Sequence, residues 1–434
     1  MQLAHRIALD PTPQQREYFR RAAGTARFVW NWALAEWNRQ YAAGQKPNAN
    51  ALKRMFNAVK YQEFPWLVDV HRDSHAQPFA NLAKAWGKFF KDVREGREAH
   101  APTFKKKGKT RDCFYVANDK FSIDGMSVKL PLVGRVAMRE ALRFEGKMMA
   151  ASVSRTADRW CIAFQLDVPD AQFHRKRTGH GVVGADLGIK AAVTLSTGES
   201  IQAPRPLKRA LRRLQIRERR QSRKIEAAKA AMGLAGKRVP KGTRISKSKN
   251  FLKSSATSAR LHARIVNVRA DFLHKLTTRL CRENQAVAIE DLNVSGMLTN
   301  EKLARAISDV GFYEFRRQIT YKAARYGMRL VVADRWFPSS RLCSACGWKN
   351  VALTLNDRTW NCCGCGSTHD RDLNAALNLK RLATETALPV ASASSNGAAA
   401  AGIAPAVVGE VTPVRHEAVS KTARGRKKSL RTCA

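Results

Sequence analysis

The chain has 434 residues, 44% of them hydrophobic, and a formal net charge of +43. This length allows two or three domains with a sizeable core. A charge this large does not suit an ordinary enzyme of small molecules, because so many lysines and arginines repel one another unless a polyanion neutralises them. The composition therefore favours nucleic acid as the partner, contacted over a long path of phosphates.

A membrane surface is the weaker candidate for the anionic partner. No apolar run approaches eighteen residues, and the amino-terminal MQLAHRIALDP lacks a signal-peptide core. We therefore expect a soluble, cytoplasmic protein. In that reducing compartment the cysteines without paired spacing are expected to be free thiols; they are Cys113, Cys161, Cys281, Cys363 and Cys433.

The amino-terminal part combines strand and helix patterns. Residues 2–9 alternate and predict a strand, and helical spacing then predicts helices from Gln14 to about Tyr41, near 50–61 and near 75–95. A basic loop, FKKKGKTR, and several short β-like runs between residues 112 and 168 follow. We interpret residues 1–180 as a small β-barrel that carries a helical insert over about 12–100.

A second domain is predicted over residues 181–383. Three short strands, GVVGADLG, AAVTLST and ESIQA, precede a long helical region over roughly 206–283. The strand AVAIEDL, a helix over roughly 301–326, the strand MRLVVAD and a helix from about Asp372 to Leu382 complete the order. This order is typical of a ribonuclease H-like α/β fold with long insertions.

From Thr384 to residue 434 the composition changes. Ala, Ser, Gly and Val dominate without a period, and the chain ends in the basic stretch KTARGRKKSLR. Such a segment cannot bury enough apolar surface to fold, so it predicts a disordered tail.

Four cysteines predict a structural metal site. Cys343, Cys346, Cys362 and Cys365 give the spacing C-x2-C-x15-C-x2-C, which closes a tetrahedral thiolate site around zinc. Four thiolates leave no open coordination position, so the role is structural rather than catalytic. The alternative, a disulfide pair, fits poorly in a reducing compartment.

Three acids fall at the ends of predicted elements. Asp186 closes the first strand of the second domain, Glu290 closes the fourth, and Asp372 begins the last helix. Adjacent strand ends lie about 5 Å apart, so the three carboxylates could hold two divalent cations about 4 Å apart that act on a phosphodiester. Magnesium suits such hard oxygen ligands. Gly184 and Gly188 flank Asp186, as expected if backbone or substrate must come close.

Each acid also has a plainer interpretation. Asp186 alone would more often be a turn residue, Glu290 could solvate a strand end, and Asp372 could cap its helix beside the loop acid Asp370. The set, arranged in order on the appropriate elements, favours a site. Asp334, after MRLVVA, is a competing third carboxylate that we rank below Asp372, because DRDLNAA has the sharper local pattern.

Basic residues crowd together between Arg205 and Lys253. A charge run is usually a solvated face, but the imbalance here favours a nucleic-acid channel. An RNA–DNA hybrid would be held there by its backbone and shape, with base pairing supplying the sequence. Trp30, Trp32 and Trp37 are expected in a helix core rather than as stacking platforms. The expected phosphate contacts are Arg212, Arg213, Arg219, Arg220, Arg223, Lys224, Arg269 and Lys275.

Several segments resemble the TnpB (OrfB) proteins of bacterial insertion sequences, relatives of the type V CRISPR effector nucleases. They are GADLGIK, AIEDLNVSGM, SSRLCSACG and WNCCGCGSTHDRDLNAALN. PTPQQREYFRRAAGTARFVWNWAL and FKKKG are similar to the family's helical start and basic loop, so the resemblance spans roughly residues 1–383. The chain departs from the family at Cys363, where the family often has proline, and in its Ala-rich tail.

The resemblance implies a RuvC-type nuclease domain with a zinc ribbon over 338–369 and an amino-terminal recognition and wedge region. By motif, Asp186, Glu290 and Asp372 would be the first, second and third catalytic acids. The family's activity is RNA-guided, magnesium-dependent cleavage of double-stranded DNA beside a short flanking motif, with a guide RNA from the mobile element. The four cysteines would be the zinc ligands.

Two other functions remain open at this point. One is a regulator that binds RNA and DNA without cutting, which the intact acids disfavour. The other is a transposase that itself moves DNA strands. No two histidines are separated by a single residue, which argues against the His-hydrophobic-His single-strand transposases that often accompany the family.

Overall fold

The computed structural model describes residues 1–240, 243–354 and 356–385. The first two residues of the predicted tail, Thr384 and Glu385, belong to the last helix, and the rest of the tail lies outside these ranges, as does Cys433. The other four cysteines without paired spacing form no disulfide within the described residues.

The amino-terminal part confirms the predicted helices and strands. Thr12 caps the first helix, since its hydroxyl accepts a hydrogen bond from the Gln15 backbone N–H at 3.3 Å while the Gln15 side chain accepts from the Thr12 N–H at 3.0 Å. Two 3-10 turns lie at Pro65–Asp69 and Asn118–Lys120. The elements are β1 (Gln2–Asp10), α1 (Pro13–Ala42), α2 (Ala49–Glu63), α3 (Asp73–Arg94), β2 (Cys113–Ala117), β3 (Ser122–Asp124), β4 (Ser127–Leu130), β5 (Gly134–Met138), β6 (Lys147–Thr156) and β7 (Arg159–Asp167).

These strands form one sheet in the order β2-β6-β7-β1-β5-β4-β3. Strand β1 bends between two partners, pairing with β7 through residues 2–8 and with β5 through Leu9 and Asp10. The edge strands β2 and β3 are consecutive in the chain, so the sheet curls back on itself. No backbone pairing joins β2 to β3 within the described residues. The predicted barrel is therefore a curled, open sheet, because a 3-10 turn and Phe121 occupy the place of a closing ladder.

The tryptophans of α1 lie in a helical core, as predicted. Trp30 and Trp37 are buried and Trp32 packs against the same cluster beside Phe56. The Trp30 indole N–H donates to the carbonyl of Thr103 at 3.0 Å, which satisfies its polar atom. These rings stabilise the packing of α1 with α2 and α3.

The carboxyl-terminal part has the predicted order of strands and helices and is α/β. The predicted helix over 301–326 is in fact two, because Gly311 adopts a φ of +82° between them. No helix in the described ranges combines the length and apolar character needed to cross a bilayer. The elements are α4 (Asp170–Phe173), β8 (Gly181–Asp186), β9 (Val193–Leu195), β10 (Ser200–Ile201), α5 (Pro206–Ala230), α6 (Lys249–Glu283), β11 (Asn284–Glu290), α7 (Val294–Leu298), α8 (Ala304–Val310), α9 (Phe312–Tyr326), β12 (Arg329–Ala333), β13 (Thr359–Asn361), β14 (Thr368–Asp370) and α10 (Arg371–Glu385).

The second sheet has the order β10-β9-β8-β11-β12. Strands β8, β11 and β12 are parallel, whereas β9 runs antiparallel between β8 and β10. Helix α10 lies directly on β8, because Gly184 leaves no side chain between them. A methyl group on Gly184 would overlap the carbonyl oxygen of Ala376 and lie 2.5 Å from the Lys380 nitrogen. The close approach predicted for this glycine is thus one of backbone against backbone.

Gly184→Ala should destabilise the protein, because the new methyl group can be accommodated only if α10 moves away from β8. We expect a loss of about 3 kcal/mol in the free energy of unfolding, at the upper end of overpacking effects, measured by urea denaturation. Gly87→Ala is the matched control, since nothing lies within 4 Å of a Cβ there, and an alanine inside α3 should stabilise by about 1 kcal/mol. Equal stabilities of the two variants would contradict the close packing of α10 on β8.

Candidate active site

Two acids end neighbouring parallel strands. Ala185 of β8 is in register with Ile289 of β11, so Asp186 and Glu290 follow at adjacent strand ends, where backbones lie about 4.8 Å apart. Asp372 lies in the first turn of α10, which packs on β8. The fold thus brings the three predicted acids to the same edge of the sheet.

The electrostatics of Asp186 reflect this crowding. Burial raises the pKa of its carboxyl well above the ordinary value, and repulsion from Glu290 and Asp372 raises it further, while Arg371 acts in the opposite direction. Burial also raises the pKa of Glu290, and the hydroxyl of Ser339, which donates to its carboxylate, opposes the rise. A bound cation would relieve the repulsion among these groups.

Asp370, not Asp372, caps helix α10. The Asp370 carboxylate accepts hydrogen bonds from the backbone N–H groups of Asp372 at 3.0 Å and Leu373 at 2.9 Å. The Asp372 carboxylate instead lies 3.4 Å from the Arg371 guanidinium and 3.8 Å from that of Arg358. Its side chain is therefore available to the carboxylate cluster rather than committed to the helix end.

The competing acids have local structural partners. Asp334 is exposed, and its carboxylate accepts a hydrogen bond from the Trp336 backbone N–H at 2.8 Å, as a turn residue does. Asp291 forms ion pairs with Arg316 at 3.4 Å and Arg335 at 3.0 Å. Neither contributes to the raised pKa of Asp186.

The four predicted cysteines converge. Their sulfur atoms all lie within 4.8 Å of one another, and within the described residues they are the one set of three or more potential ligands gathered so closely. The carboxylates of Asp186, Glu290 and Asp372 do not form so close a group. The sulfurs of Cys343 and Cys365 are 3.7 Å apart, and those of Cys346 and Cys362 are 3.5 Å apart.

Each cysteine pair lies on a tight turn of the same construction. In the first turn the Cys343 N–H donates to the Trp348 carbonyl at 2.8 Å, and in the second the Cys362 N–H donates to the Ser367 carbonyl at 2.9 Å. Both turns contain a glycine with positive φ, Gly347 at +80° and Gly366 at +73°. This backbone geometry presents both thiols of a pair on the same side.

Sequence reasoning missed two neighbours of these sites. The His369 Nε2 lies 3.0 Å from the sulfur of Cys343, and its ring packs on Trp360. Ser339 reaches Glu290, although it precedes the first cysteine pair by only a few residues. Their only sequence signal was adjacency to a motif. Cys363, the departure from the family pattern, is exposed and lies outside the four-sulfur group.

Most of the predicted phosphate contacts lie on the hairpin of α5 and α6. The two helices pack through Ala210, Leu214 and Ile265, which leaves the opposite face of α5 to solvent. Lys224 is half-buried, with its Nζ 3.5 Å from the Asn250 carbonyl, and Lys275 is exposed but paired with Asp271 at 2.8 Å. The predicted phosphate contacts that are exposed on α5 are Arg212, Arg213, Arg219, Arg220 and Arg223.

Arg269 forms an ion pair with a buried carboxylate. Its guanidinium lies 3.1 Å from the carboxylate of Asp309, which is only 5% exposed. The same carboxylate accepts hydrogen bonds from the backbone N–H groups of Leu207 at 3.1 Å and Lys208 at 3.0 Å, in the first turn of α5. Asp309 therefore holds the start of the basic hairpin and pairs with Arg269, while the contact of Arg269 with a duplex stays a prediction.

Comparison with known sequences gives the family. Residues 162–301 match the family described as "Probable transposase" of the OrfB type, residues 312–379 match a Cas12f1-like TNB domain, and residues 1–46 match the associated helix-turn-helix domain. A relative from Streptomyces pristinaespiralis is 35% identical over 386 residues, covering 87% of this chain and 88% of its own; it bears the provisional name RNA-guided DNA endonuclease. Relatives with the same provisional name occur in Mycobacterium tuberculosis, at 31% identity over 91% of this chain and 90% of theirs, and in Escherichia coli, at 28% over 87% and 91%. The chain belongs to the TnpB (OrfB) family.

Solved structures give weaker likenesses. A Cas12f1–sgRNA–target DNA complex matches at 14% identity and a TM-score of 0.31, covering 88% of this chain and 99% of that one. The endonuclease CRISPR-Cas_phi3 matches at 10% identity and a TM-score of 0.43, covering 88% and 92%. Because both TM-scores lie below 0.5, the family assignment depends on the sequence relatives.

Asp309→Ala should destabilise the protein strongly, because it removes the partner of the largely buried Arg269 charge and of the backbone N–H groups of Leu207 and Lys208. The expected loss in the free energy of unfolding is about 3–5 kcal/mol, measured by thermal or urea denaturation. Asp271→Ala removes the exposed partner of Lys275 and should cost less than about 1 kcal/mol. Similar losses in both variants would show that Asp309 does not hold the helix start.

Proposed function

We propose that the protein is an RNA-guided DNA endonuclease and that Asp186, Glu290 and Asp372 form its RuvC-like catalytic site. The activity is the one that its relatives are named for. The observation that carries the proposal is the meeting of these three acids at one sheet edge, where burial and, after it, repulsion from Glu290 and Asp372 raise the pKa of Asp186. The strand order, with β9 antiparallel between β8 and β10 and with β8, β11 and β12 parallel, is consistent with the ribonuclease H-like class.

The three carboxylates fit a pair of magnesium ions. Their oxygens are the hard ligands that magnesium prefers, and bound ions of this kind activate water and stabilise the leaving oxygen of a phosphodiester. A cation shared by the three acids would offset the repulsion that, after burial, raises the pKa of Asp186. The Ser339 hydroxyl donates to one oxygen of Glu290, which leaves the second oxygen for a metal.

The four cysteines fit a structural zinc ion. A tetrahedron with zinc–sulfur bonds of about 2.3 Å has sulfur atoms about 3.8 Å apart. The distances between the two cysteine pairs are close to this value: 3.7 Å from Cys343 to Cys365 and 3.5 Å from Cys346 to Cys362. With four sulfur ligands no coordination position remains for substrate. The zinc ribbon would span residues 338–369 inside a nuclease domain over 181–383.

The remaining parts would bind the nucleic acids. The curled sheet of residues 1–180 would serve as the wedge region and the helices within about 12–100 as the recognition insert. The exposed arginines of α5 would contact phosphates of a guide RNA from the mobile element and of double-stranded DNA, beside a short flanking motif. Replacing any one of these arginines with alanine should reduce the salt dependence of binding, because fewer counterions are then released from the nucleic acid.

Asp186→Asn or Glu290→Gln should reduce cleavage at least about a thousandfold, because each removes a charged metal ligand worth several kcal/mol in the transition state. Binding of the guide RNA and target DNA should stay unchanged. The assay combines the co-purifying RNA, magnesium and a target plasmid library of flanking sequences. Asp334→Asn is the control and should cut normally. Cleavage by either site variant at the normal rate would refute the site, and an intact chain that binds but never cuts would indicate a regulator.

Cys343→Ser should lose most of the bound metal, because a hydroxyl is a poor zinc ligand compared with a thiolate. The measurement is the metal content of the purified protein by mass spectrometry. Cys363→Ser, outside the four-sulfur group, should retain zinc. Wild-type protein purified without zinc would contradict the assignment of the metal.

A further inference from the structure

Two buried asparagines of α10 connect the cysteine site, formed by the four converging cysteines, with the carboxylate edge, the sheet edge that carries Asp186, Glu290 and Asp372. Asn374 is 1% exposed and Asn378 is 4% exposed, and they lie one turn apart on the same face of the helix. This is the helix that begins with Asp370 and Asp372. Buried amides are costly unless their hydrogen bonds are made, so their partners indicate what the pair does.

Both side chains bind the segment that runs from Ser339 to Ser344. The Asn378 amide donates to the carbonyls of Ser339 and Leu342, each at 2.7 Å. The Asn374 amide donates to the carbonyl of Leu342 at 2.6 Å and of Ser340 at 3.4 Å, and its oxygen accepts from the Ser344 N–H at 2.9 Å. We call these bonds the asparagine clamp.

The clamped segment has a functional residue at each end. Cys343, at one end, is a ligand of the proposed zinc ion. At the other end Ser339, which is 4% exposed, donates its hydroxyl hydrogen to Glu290. The carbonyl of Ser339 is itself held by Asn378. The backbone that presents this hydroxyl is therefore fixed to the same helix that carries Asp372.

We propose that Ser339 is a positioning residue for Glu290, held in place by the asparagine clamp and the cysteine site, and that this arrangement sets the affinity of the carboxylate site for divalent cations. The inference rests on the proposed function. A carboxylate that is free to rotate loses entropy when it binds a metal, whereas Glu290 is oriented beforehand by Ser339. Outer partners of metal-binding side chains contribute about 10–100-fold to metal affinity in other proteins.

The test is the affinity of the full chain for Mn²⁺, followed by electron paramagnetic resonance, together with its zinc content. Ser339→Ala should weaken Mn²⁺ binding by about 10–100-fold and leave zinc bound. Ser339→Thr, which retains the hydroxyl, should restore most of the affinity. Ser340→Ala is the matched control, because Ser340 enters the clamp through its backbone carbonyl.

Asn378→Ala tests the clamp. It should weaken Mn²⁺ binding as Ser339→Ala does and increase the amide hydrogen exchange of residues 339–343. Wild-type Mn²⁺ affinity in Ser339→Ala would overturn the inference. So would loss of zinc from Ser339→Ala, since that would indicate a merely structural role.

Glu290→Gln separates this inference from the proposed function. If Glu290→Gln leaves Mn²⁺ binding unchanged, the carboxylate site itself is wrongly assigned. If Glu290→Gln weakens binding and Ser339→Ala does not, the site stands and only the positioning role fails.

Discussion

The direct contact between the backbone of α10 and strand β8 is the constraint on which the candidate site depends. At Gly184 the helix and the strand approach so closely that no side chain fits between them. The approach brings the first turn of α10, with Asp372, to the end of the strand that carries Asp186. Two segments separated by most of the domain's sequence thereby share an electrostatic environment, although neither has a metal-binding pattern alone.

The carboxylate edge is a site of opposed forces. Burial and mutual repulsion both disfavour the ionised form of the acids there. The nearby arginine charge only partly offsets these effects. Asp291 and Asp309 have arginine partners within 3.4 Å, and so does Asp372 at the sheet edge. Arg371 lowers the pKa of Asp186, but burial and the neighbouring acids still raise it well above its ordinary value.

Helix α10 contacts both the second sheet and the segment that leads into the cysteine site. Asp370 caps it, so Asp372 can face the carboxylates, and its buried asparagines bind the segment between Ser339 and the first cysteine turn. The basic hairpin is anchored separately through Asp309. The cysteine site and the carboxylates are thus linked through hydrogen bonds of particular side chains, and the basic hairpin is held by a separate set.

The sequence by itself determined most elements of this protein, because period, capping and turn residues are local. The helices of the amino-terminal part, the order of strands and helices along the chain and the set of four clustered cysteines could all be predicted. Tertiary structure decided the features that depend on contacts between residues far apart in the sequence. Gly311 divides a helix predicted as continuous, the barrel is an open sheet, and Arg269 pairs with Asp309. The hydrogen bond between Ser339 and Glu290 forms only when the chain folds, since a contact between segments 49 residues apart leaves no mark on local sequence.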